Sequence, residues 1–405
     1  MPAEAVPEWP ASLDVGRLVR TGWRPRPFRE FVLKIHSRCD LACDYCYVYA
    51  MADQSWRDRP LRMSSEVVAA TASRIGEHVR SHGLTSIDVV LHGGEPLLAG
   101  PEAITETVTT IREAVGPGVE VRMALQTNGV RLAAHLELLD RLGVHVGVSL
   151  DGDSVANDRH RRYAHGAGSY DTVAANVRLL SERHRHLFSG LLCTVDLRNP
   201  PLDTYAALLE FDPPAIDFLL PHGNWTAPPP GRHPGSAATP YADWLIEVFD
   251  HWYAAPRQET RVRLFGELMH LLLGGASASE SVGLSPVTVV VVETDGSIEQ
   301  SDILKSAYSG APVTGLHVAR DPFDAALALP SVAARQLGEL ALADDCRRCA
   351  VHRVCGAGLY AHRYRPGSGF ANPSVYCPDL LRLISHMARV METDLIARAN
   401  GNREA

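Results

Sequence analysis

The chain has 405 residues, more than one hydrophobic core usually holds, so we expect one large domain and a smaller one. Its formal net charge is -8 and it has no lysine and arginine tract, which argues against a nucleic acid partner. Its apolar runs are too short to cross a bilayer, and its start, MPAEAVPEWP, lacks the features of a signal peptide. We therefore expect no membrane partner and a cytoplasmic location.

Short apolar segments alternate with amphipathic segments in the first half of the chain, a pattern typical of a parallel βα sheet. The predicted strands are residues 31–36, 87–92, 121–127, 144–150, 190–196 and 216–222. The predicted helices between them are residues 64–82, 101–115, 132–142, 170–186 and 202–210. Because a closed barrel of this kind needs eight units, six units predict an α/β fold with an open, partial (β/α)6 barrel.

The second half of the chain begins with NWTAPPPGRHPGSAATP, whose proline, glycine and serine content indicates a loop. Two helices are predicted at about 240–255 and 261–274, and a last helix at about 378–399. Between them, VTVVVVETDGSIEQSDIL predicts a β-hairpin that begins the second domain. The expected divisions are an N-terminal extension at 1–27, the barrel at 28–225, a loop with bridging helices at 226–285 and a smaller domain at 286–405.

Three cysteines follow the first predicted strand in C-x3-C-x2-C spacing: Cys39, Cys43 and Cys46. In a parallel βα fold, functional groups collect at the carboxyl ends of the strands. Three thiolates so spaced can ligate three irons of a [4Fe-4S] cluster and leave the fourth iron open to a ligand. On spacing alone, a zinc site completed by a neighbour such as His36 is the alternative.

The next three strands also end in loops with polar residues and glycines. The second strand runs into HGGEPLLAG, the third ends in QTNG and the fourth in SLDG. Paired glycines let the backbone approach a ligand closely, although GG and EP also occur in simple turns. We expect these loops to meet at the same edge of the barrel as the three cysteines.

Four more cysteines lie in the C-terminal part: Cys346, Cys349, Cys355 and Cys377. Four thiolates complete a metal site, so a group bound here has no open position. Zinc with four cysteines and a closed [4Fe-4S] cluster both fit this spacing. The eighth cysteine, Cys193, lies within the fifth predicted strand and is expected to pack as a small buried residue.

The cysteine triad, GGEP and the six strands together resemble the radical S-adenosylmethionine (SAM) enzymes over about residues 28–225. CDLACDYC matches the family's motif, with Tyr45 in its aromatic position. The resemblance implies that SAM and a [4Fe-4S] cluster at Cys39, Cys43 and Cys46 generate a 5'-deoxyadenosyl radical, with an electron donor such as flavodoxin or ferredoxin as partner. It also implies SAM contacts from Tyr45, Gly93, Gly94, Glu95, Pro96, Asn128, Ser149 and Arg161. Arg159 and Arg162 remain alternatives to Arg161.

The C-terminal cysteines resemble those of the SPASM and twitch domains of peptide-modifying radical SAM enzymes. This resemblance implies an auxiliary [4Fe-4S] cluster at Cys346, Cys349, Cys355 and Cys377. A full SPASM domain uses seven cysteines for two clusters, whereas the hairpin here has none and Leu359 stands where a further cysteine is expected. We therefore expect a single auxiliary cluster.

Several longer stretches resemble the FxsB-type peptide maturases: LKIHSRCDLACDYCYVY, ADQSWRDRP, HGGEPLLAG, LLPHGNW, GLYAHRY and GFANPSVYCPDL. The resemblance implies a ribosomally made precursor peptide as partner and RiPP maturation as function. The implied reaction joins an aromatic ring carbon to the β-carbon of a residue two positions later, forming a three-residue cyclophane. The alternatives are an anaerobic sulfatase-maturase-like enzyme, a thioether-forming enzyme, and a non-enzymatic scaffold with two zinc sites.

The base that would accept a proton in this reaction is left open by the sequence. Asp196 and His222 lie at the ends of predicted strands five and six, and Asp302 lies in the hairpin segment. Recognition of the precursor also stays open between a partner protein, the hairpin edge and the proline-rich loop.

Overall fold

The protein is described by a computed structural model for residues 8–233 and 235–401, so the first seven residues of the predicted N-terminal extension lie outside the described residues. A ten-stranded sheet runs in the order β10-β9-β8-β1-β2-β3-β4-β5-β6-β7. Its strands are β1 (Glu30–His36), β2 (Ser86–Gly93), β3 (Glu120–Thr127), β4 (Val144–Ser149), β5 (Phe188–Thr194), β6 (Ala215–Leu219), β7 (Arg261–Val262), β8 (Val289–Val292), β9 (Ser297–Glu299) and β10 (Val313–His317). All six predicted strands are confirmed.

Helices connect and cover the strands. They are α1 (Val15–Arg20), α2 (Ser65–His82), α3 (Pro101–Val115), α4 (Leu136–Leu142), α5 (Ser154–His160), α6 (Tyr170–Arg183), α7 (Pro201–Leu209), α8 (Pro240–Ala254), α9 (Arg263–Leu272), α10 (Phe323–Leu327), α11 (Pro330–Ala334), α12 (Asp344–Arg347), α13 (His352–Cys355) and α14 (Cys377–Gly401). The helix predicted at 132–142 begins as a separate 3-10 turn before α4. None of the described helices is long and apolar enough to span a membrane.

Strands β1 to β6 pair in parallel and in chain order, which confirms the α/β fold with an open, parallel barrel. In β2 the buried residues alternate along the strand, with Ile87, Val89 and Leu91 on the face that packs on the helices. Helix α2 is capped at its start by Ser64, whose side chain accepts from the Val67 N–H, and at its end by Gly83 in the left-handed conformation. These local signals explain why the first half could be predicted element by element.

The predicted hairpin is confirmed as β8 and β9, but it does not form a sheet of its own. Strand β8 pairs in parallel with β1, with Glu30 opposite Val289 and Leu33 opposite Val292. The hairpin therefore extends the barrel sheet on the β1 side. Periodicity identifies a strand without naming its partner, so this junction was not predictable.

The C-terminal helix α14 is fixed to the bridging helix α8. The carboxylate of Asp379 accepts hydrogen bonds from the backbone N–H groups of Tyr241 and Ala242, at 2.9 Å and 3.1 Å, and thus caps α8. Arg232 lies 3.2 Å from the other Asp379 oxygen in a buried ion pair. This contact holds the start of α14, and with it Cys377, against the barrel.

Candidate active site

A cavity of about 690 Å³ lies at the carboxyl ends of the barrel strands and reaches the C-terminal part of the chain. All three clustered cysteines of the β1 loop line it, together with groups from the next strand ends. Those groups are Gly93, Gly94, Asn128, Ser149 and Arg161, and Tyr45 of the cysteine loop lines the cavity beside them. The loops therefore meet at one edge of the sheet, as the sequence predicts.

The cysteine loop is held by backbone contacts and by Asn128. The Ala42 N–H donates to the Arg162 carbonyl at 2.7 Å, and the Cys39 sulfur accepts from the Leu41 N–H at 3.4 Å and from Asn128 Nδ2 at 3.5 Å. Burial raises the pKa of Cys39 to about 12. A thiol so buried becomes a thiolate when a bound cation replaces its proton, as a metal cluster does.

The paired glycines allow the β2 loop to pack directly on the cysteine loop. A β-carbon on Gly94 would lie 1.8 Å from the Tyr49 hydroxyl and 2.6 Å from the Arg38 carbonyl. One on Gly93, whose φ is 149°, would lie 2.1 Å from the His36 carbonyl oxygen. Only glycine fits at both positions. The glycines thus serve packing between the loops as well as lining the cavity.

Glu95 and Pro96 lie behind the cavity wall rather than on it, unlike the expectation that both contact SAM. The Glu95 side chain is fully buried and accepts from the Leu97 N–H, the Thr127 hydroxyl and the Asn128 N–H. Burial raises the pKa of Glu95 to about 7. Its role is to connect the loops after β2 and β3. Pro96 is buried at the start of a 3-10 turn.

Tyr45 and Arg161 form a buried network with Asp151, a residue that sequence reasoning missed although it follows Ser149 in SLDG. The Tyr45 hydroxyl donates to Asp151 and accepts from Arg161 Nη1 at 2.9 Å. Arg161 Nε is buried without a hydrogen-bond partner. A guanidinium with a free donor in a cavity wall suits a carboxylate ligand.

The neighbouring arginines are engaged elsewhere. Arg159 donates to Asp196 at 2.7 Å and Arg162 to a backbone carbonyl, and neither lines the cavity. Ser149 lines it and accepts from Gln126 Nε2 at 3.0 Å. Of the three arginines, the placement thus favours Arg161 as the SAM contact.

The three candidate bases occupy different environments. Asp196 lies outside the cavity lining, 2.7 Å from Arg159 and 3.0 Å from Arg198. Although partial burial acts in the opposite direction, hydrogen bonds from these arginines hold the pKa of Asp196 well below its usual range. The structure thus separates Asp196 from the cavity, which corrects its placement as a base on strand-end position alone.

Asp302 lies in the cavity wall. It forms an ion pair with Lys34, accepts from the Tyr47 hydroxyl at 3.4 Å, and keeps Oδ1 without a hydrogen-bond partner. Burial alone would raise the pKa of Asp302, but Lys34, His92 and Lys305 hold it below its usual value. The carboxylate is therefore ionised at neutral pH, and one of its oxygens is buried without a hydrogen-bond partner.

His222 lines the cavity beside His362, a residue of the GLYAHRY stretch that sequence reasoning did not single out. Their ring centroids are 5.9 Å apart, and His222 Nδ1 and His362 Nε2 are both buried without partners. Burial lowers the pKa of His222 to about 4 and that of His362 well below its usual value. Two neutral imidazoles of the cavity wall thus each keep a buried nitrogen without a hydrogen-bond partner.

The four C-terminal cysteines lie on and around two short helices and the start of α14. Burial and the charge of Cys377 raise the pKa of Cys346 to about 11, while Arg363 lowers it. Arg363 is buried and donates through Nη2 to the Gly356 and Gly358 carbonyls at 2.6 Å. A β-carbon on Gly356, whose φ is 57°, would lie 1.7 Å from the Gly283 carbonyl oxygen. A cation and a tight glycine turn therefore surround this site.

Cys193 packs in the hydrophobic core at 1% exposure, as predicted. It does not line the cavity. Sequence reasoning also missed Tyr47, His92 and Lys34, which surround Asp302; no motif marks them, because their roles depend on a contact between β1 and the hairpin segment.

The chain is similar to one known protein family and to two characterised enzymes. The radical SAM superfamily matches residues 33–196. The serine-type anaerobic sulfatase-maturating enzyme of Bacteroides thetaiotaomicron is 22% identical over 397 residues, covering 91% of both chains. The cysteine-type anaerobic sulfatase-maturating enzyme of Clostridium novyi is 24% identical over 272 residues, covering 66% of this chain and 71% of the relative.

Two solved structures share the fold. Native anSMEcpe with bound AdoMet superposes with a TM-score of 0.75 at 20% identity, covering 92% of this chain and 99% of that one. SuiB of Streptococcus suis, bound to the precursor peptide SuiA, superposes with a TM-score of 0.56 at 15% identity, covering 89% of this chain and 78% of that one.

Proposed function

We propose that the chain is a radical SAM enzyme that modifies a ribosomally made precursor peptide, and the match of the radical SAM superfamily to residues 33–196 supports this. The proposed modification is a C–C crosslink between an aromatic ring and a β-carbon, which gives a three-residue cyclophane. The observation that carries the proposal is that the cysteine triad, Arg161 with its unpartnered Nε and the ionised Asp302 line one cavity.

The cysteine geometry supports clusters over single zinc ions at both sites. In residues 8–233 and 235–401, no three sulfurs of either cysteine set lie within 4.8 Å of one another. Sulfurs around one zinc ion lie about 3.8 Å apart, because each Zn–S bond is about 2.3 Å. A four-iron cluster is larger and holds its ligands farther apart. We assign the open cluster to Cys39, Cys43 and Cys46, and the auxiliary cluster to Cys346, Cys349, Cys355 and Cys377.

Bound at these residues, the cofactors would supply a 5'-deoxyadenosyl radical that abstracts hydrogen from an unactivated carbon. Arg161 would bind the carboxylate of SAM through its unpartnered Nε, and the backbone of Gly93 and Gly94 would face its amine. The buried Asp151 and Tyr45 fix the Arg161 guanidinium in place.

Three of the stretches that resemble FxsB-type maturases, LLPHGNW, GLYAHRY and GFANPSVYCPDL, pack on one another and contribute His222, Leu359, His362 and Leu380 to one wall of the cavity. The indole Nε1 of Trp225, in LLPHGNW, donates to the Pro373 carbonyl at 2.8 Å. The backbone N–H of Trp225 donates to the Tyr364 carbonyl at 3.2 Å. The Tyr376 hydroxyl donates to the Pro221 carbonyl at 2.7 Å. These contacts set His222 and His362 side by side. We infer that this wall binds the peptide, whose backbone or side-chain polar groups would satisfy the two unpartnered imidazoles.

Asp302 is the residue we assign as the base. After the carbon radical adds to the aromatic ring, the ring must lose one electron and one proton to become aromatic again. The proton on such an oxidised ring is strongly acidic, so a carboxylate with a low pKa suffices. Asp302 faces the cavity, is ionised and has a free oxygen, whereas His222 is neutral and Asp196 lies outside the cavity.

Formylglycine-type oxidation is the second candidate, and a specific observation favours it. The serine-type sulfatase-maturating relative aligns over 91% of this chain, and that reaction also removes two hydrogens from a peptide. The two reactions differ in where the hydrogens are lost, so fragmentation of the product separates them.

We expect the enzyme, given SAM, a strong reductant and the precursor peptide encoded beside its gene, to yield a peptide lighter by two hydrogens per crosslink. One C–H bond at each partner is replaced by one C–C bond, so tandem mass spectrometry should show no cleavage inside an aromatic-x-residue triplet. Deuterium placed on the acceptor β-carbon should appear in 5'-deoxyadenosine. Loss of two hydrogens within one serine or cysteine would contradict the crosslink, and transfer from an α-carbon would indicate a thioether-forming enzyme.

We expect Asp302→Asn to lower peptide product by about 10²-fold or more, because a general base of this kind contributes at least that much. SAM cleavage to 5'-deoxyadenosine should continue, since it does not need the base. Asp196→Asn is the matched control: it removes a strand-end carboxylate outside the cavity and should leave the product yield near wild type. Equal loss in both variants, or full activity of Asp302→Asn with normal iron content, would exclude Asp302 as the base.

A further inference from the structure

Away from the cavity, two histidines of one helix face a carboxylate from the C-terminal part of the chain. His78 and His82 are one turn apart on α2, so they share a face, and Asp324 lies at the start of α10. His78 Nδ1 lies 2.6 Å from Asp324 Oδ1, and His82 Nε2 lies 2.9 Å and 3.1 Å from the two carboxylate oxygens. One ligand atom from each residue lies within 4.8 Å of the other two.

Both ring nitrogens of His78 face hydrogen-bond acceptors. Its ring is buried, with Nδ1 facing Asp324 and Nε2 lying 3.2 Å from the Phe28 carbonyl oxygen. As a neutral imidazole the ring has one N–H. Two acceptors therefore share one donor. When Nε2 donates to Phe28, the lone pair of Nδ1 points at a carboxylate, and a cation between them would remove this repulsion.

The surroundings of His78 resemble those of a metal-ligating imidazole. The Phe28 carbonyl is the kind of acceptor that fixes the tautomer of such a ring through the nitrogen that does not bind metal. The rings of Phe28, Phe31 and Phe323 pack around His78 with centroids 5.8 Å to 6.2 Å away and hold its orientation. His82 and Asp324 are partly exposed, so water can reach the remaining coordination positions.

We propose that His78, His82 and Asp324 bind one divalent transition-metal ion that joins α2 of the barrel to α10 of the C-terminal part. Two imidazoles and one carboxylate form a ligand set suited to Zn²⁺ and also able to bind Fe²⁺. None of the three residues lines the cavity, so the ion holds the two parts of the chain together and takes no part in the peptide chemistry.

The test is zinc binding to the full-length protein with both clusters assembled, measured by equilibrium dialysis against Zn²⁺ alone. We expect one equivalent of zinc for the wild type. His82→Ala and Asp324→Ala should bind it more than ~100-fold more weakly, because loss of even an outer hydrogen-bond partner costs ~10–100-fold. Zinc should also raise the melting temperature of the wild type but not of these variants.

The matched control is His186→Ala. His186 is an exposed histidine 2.9 Å from the Asp140 carboxylate, but its neighbours do not bring a third ligand atom close enough. This variant should bind zinc as the wild type does. Equal zinc uptake by the wild type, His82→Ala and Asp324→Ala would overturn the proposal and leave His78 as a simple donor to Asp324. Because the readout is zinc rather than product, failure of the peptide assay would not affect it.

Discussion

Replacing Cys39, Cys43 and Cys46 together with alanine should abolish the release of 5'-deoxyadenosine from SAM. The three thiols are the ligands of the open cluster in our assignment, and without them neither the iron nor the methionine end of SAM has a site. The anaerobically assembled wild type should be brown and contain about eight irons in two clusters, and the triple variant about four. Iron content and 5'-deoxyadenosine, measured on the same sample, check this result.

Cys193→Ala is the matched control for the triple variant. It removes a thiol of the barrel as well, but Cys193 lies in β5, is buried in the core and does not line the cavity. We expect it to keep about eight irons and full SAM cleavage. If the triple variant still cleaves SAM, or if a colourless wild type ignores SAM, the assignment of the open cluster fails and a zinc scaffold becomes the better interpretation.

The barrel was predictable because its signals are local. Strand and helix periods, the Ser64 cap and the glycine turns each act within a few residues, and the polar strand ends of a parallel sheet necessarily meet at one edge. The cysteine triad, Gly93, Gly94, Asn128 and Ser149 could therefore be placed together from the sequence, whereas Arg161 remained one of three candidate arginines.

The features of the site that could not be predicted from the sequence depend on contacts between distant segments. Glu95 is adjacent to the glycines in sequence, yet its carboxylate turns inward because the Thr127 hydroxyl and the Asn128 N–H are available as donors. Asp302 and Asp196 look alike in sequence, and only the pairing of β8 with β1 brings Lys34 to Asp302. His362 reaches the cavity because the C-terminal segment folds back over His222.

The wall beside His222 also connects the cavity to the second cysteine site. Ring centroids are 4.9 Å apart between Tyr47 and His222, 5.9 Å between His222 and His362, and 5.0 Å between His362 and Tyr376, which precedes Cys377. An electron that leaves the oxidised substrate therefore has a short, packed route to the auxiliary site. From this geometry we propose that the auxiliary cluster is the acceptor of that electron.

Replacing Cys349 or Cys377 with alanine should remove about four irons and nearly all peptide product, while part of the SAM cleavage remains. The two cysteine sets are separate, so the open cluster should survive. Cys377 is exposed at the start of α14, so its loss should disturb packing little. Iron, 5'-deoxyadenosine and crosslinked peptide should be measured on the same samples. The Cys349 and Cys377 variants should keep part of the 5'-deoxyadenosine release but lose the crosslinked peptide, whereas the triad variant should lose the 5'-deoxyadenosine release itself. Zinc at this site in active, anaerobically prepared enzyme, or undiminished product from Cys377→Ala, would exclude an electron-accepting role, because zinc has no redox chemistry to accept the electron.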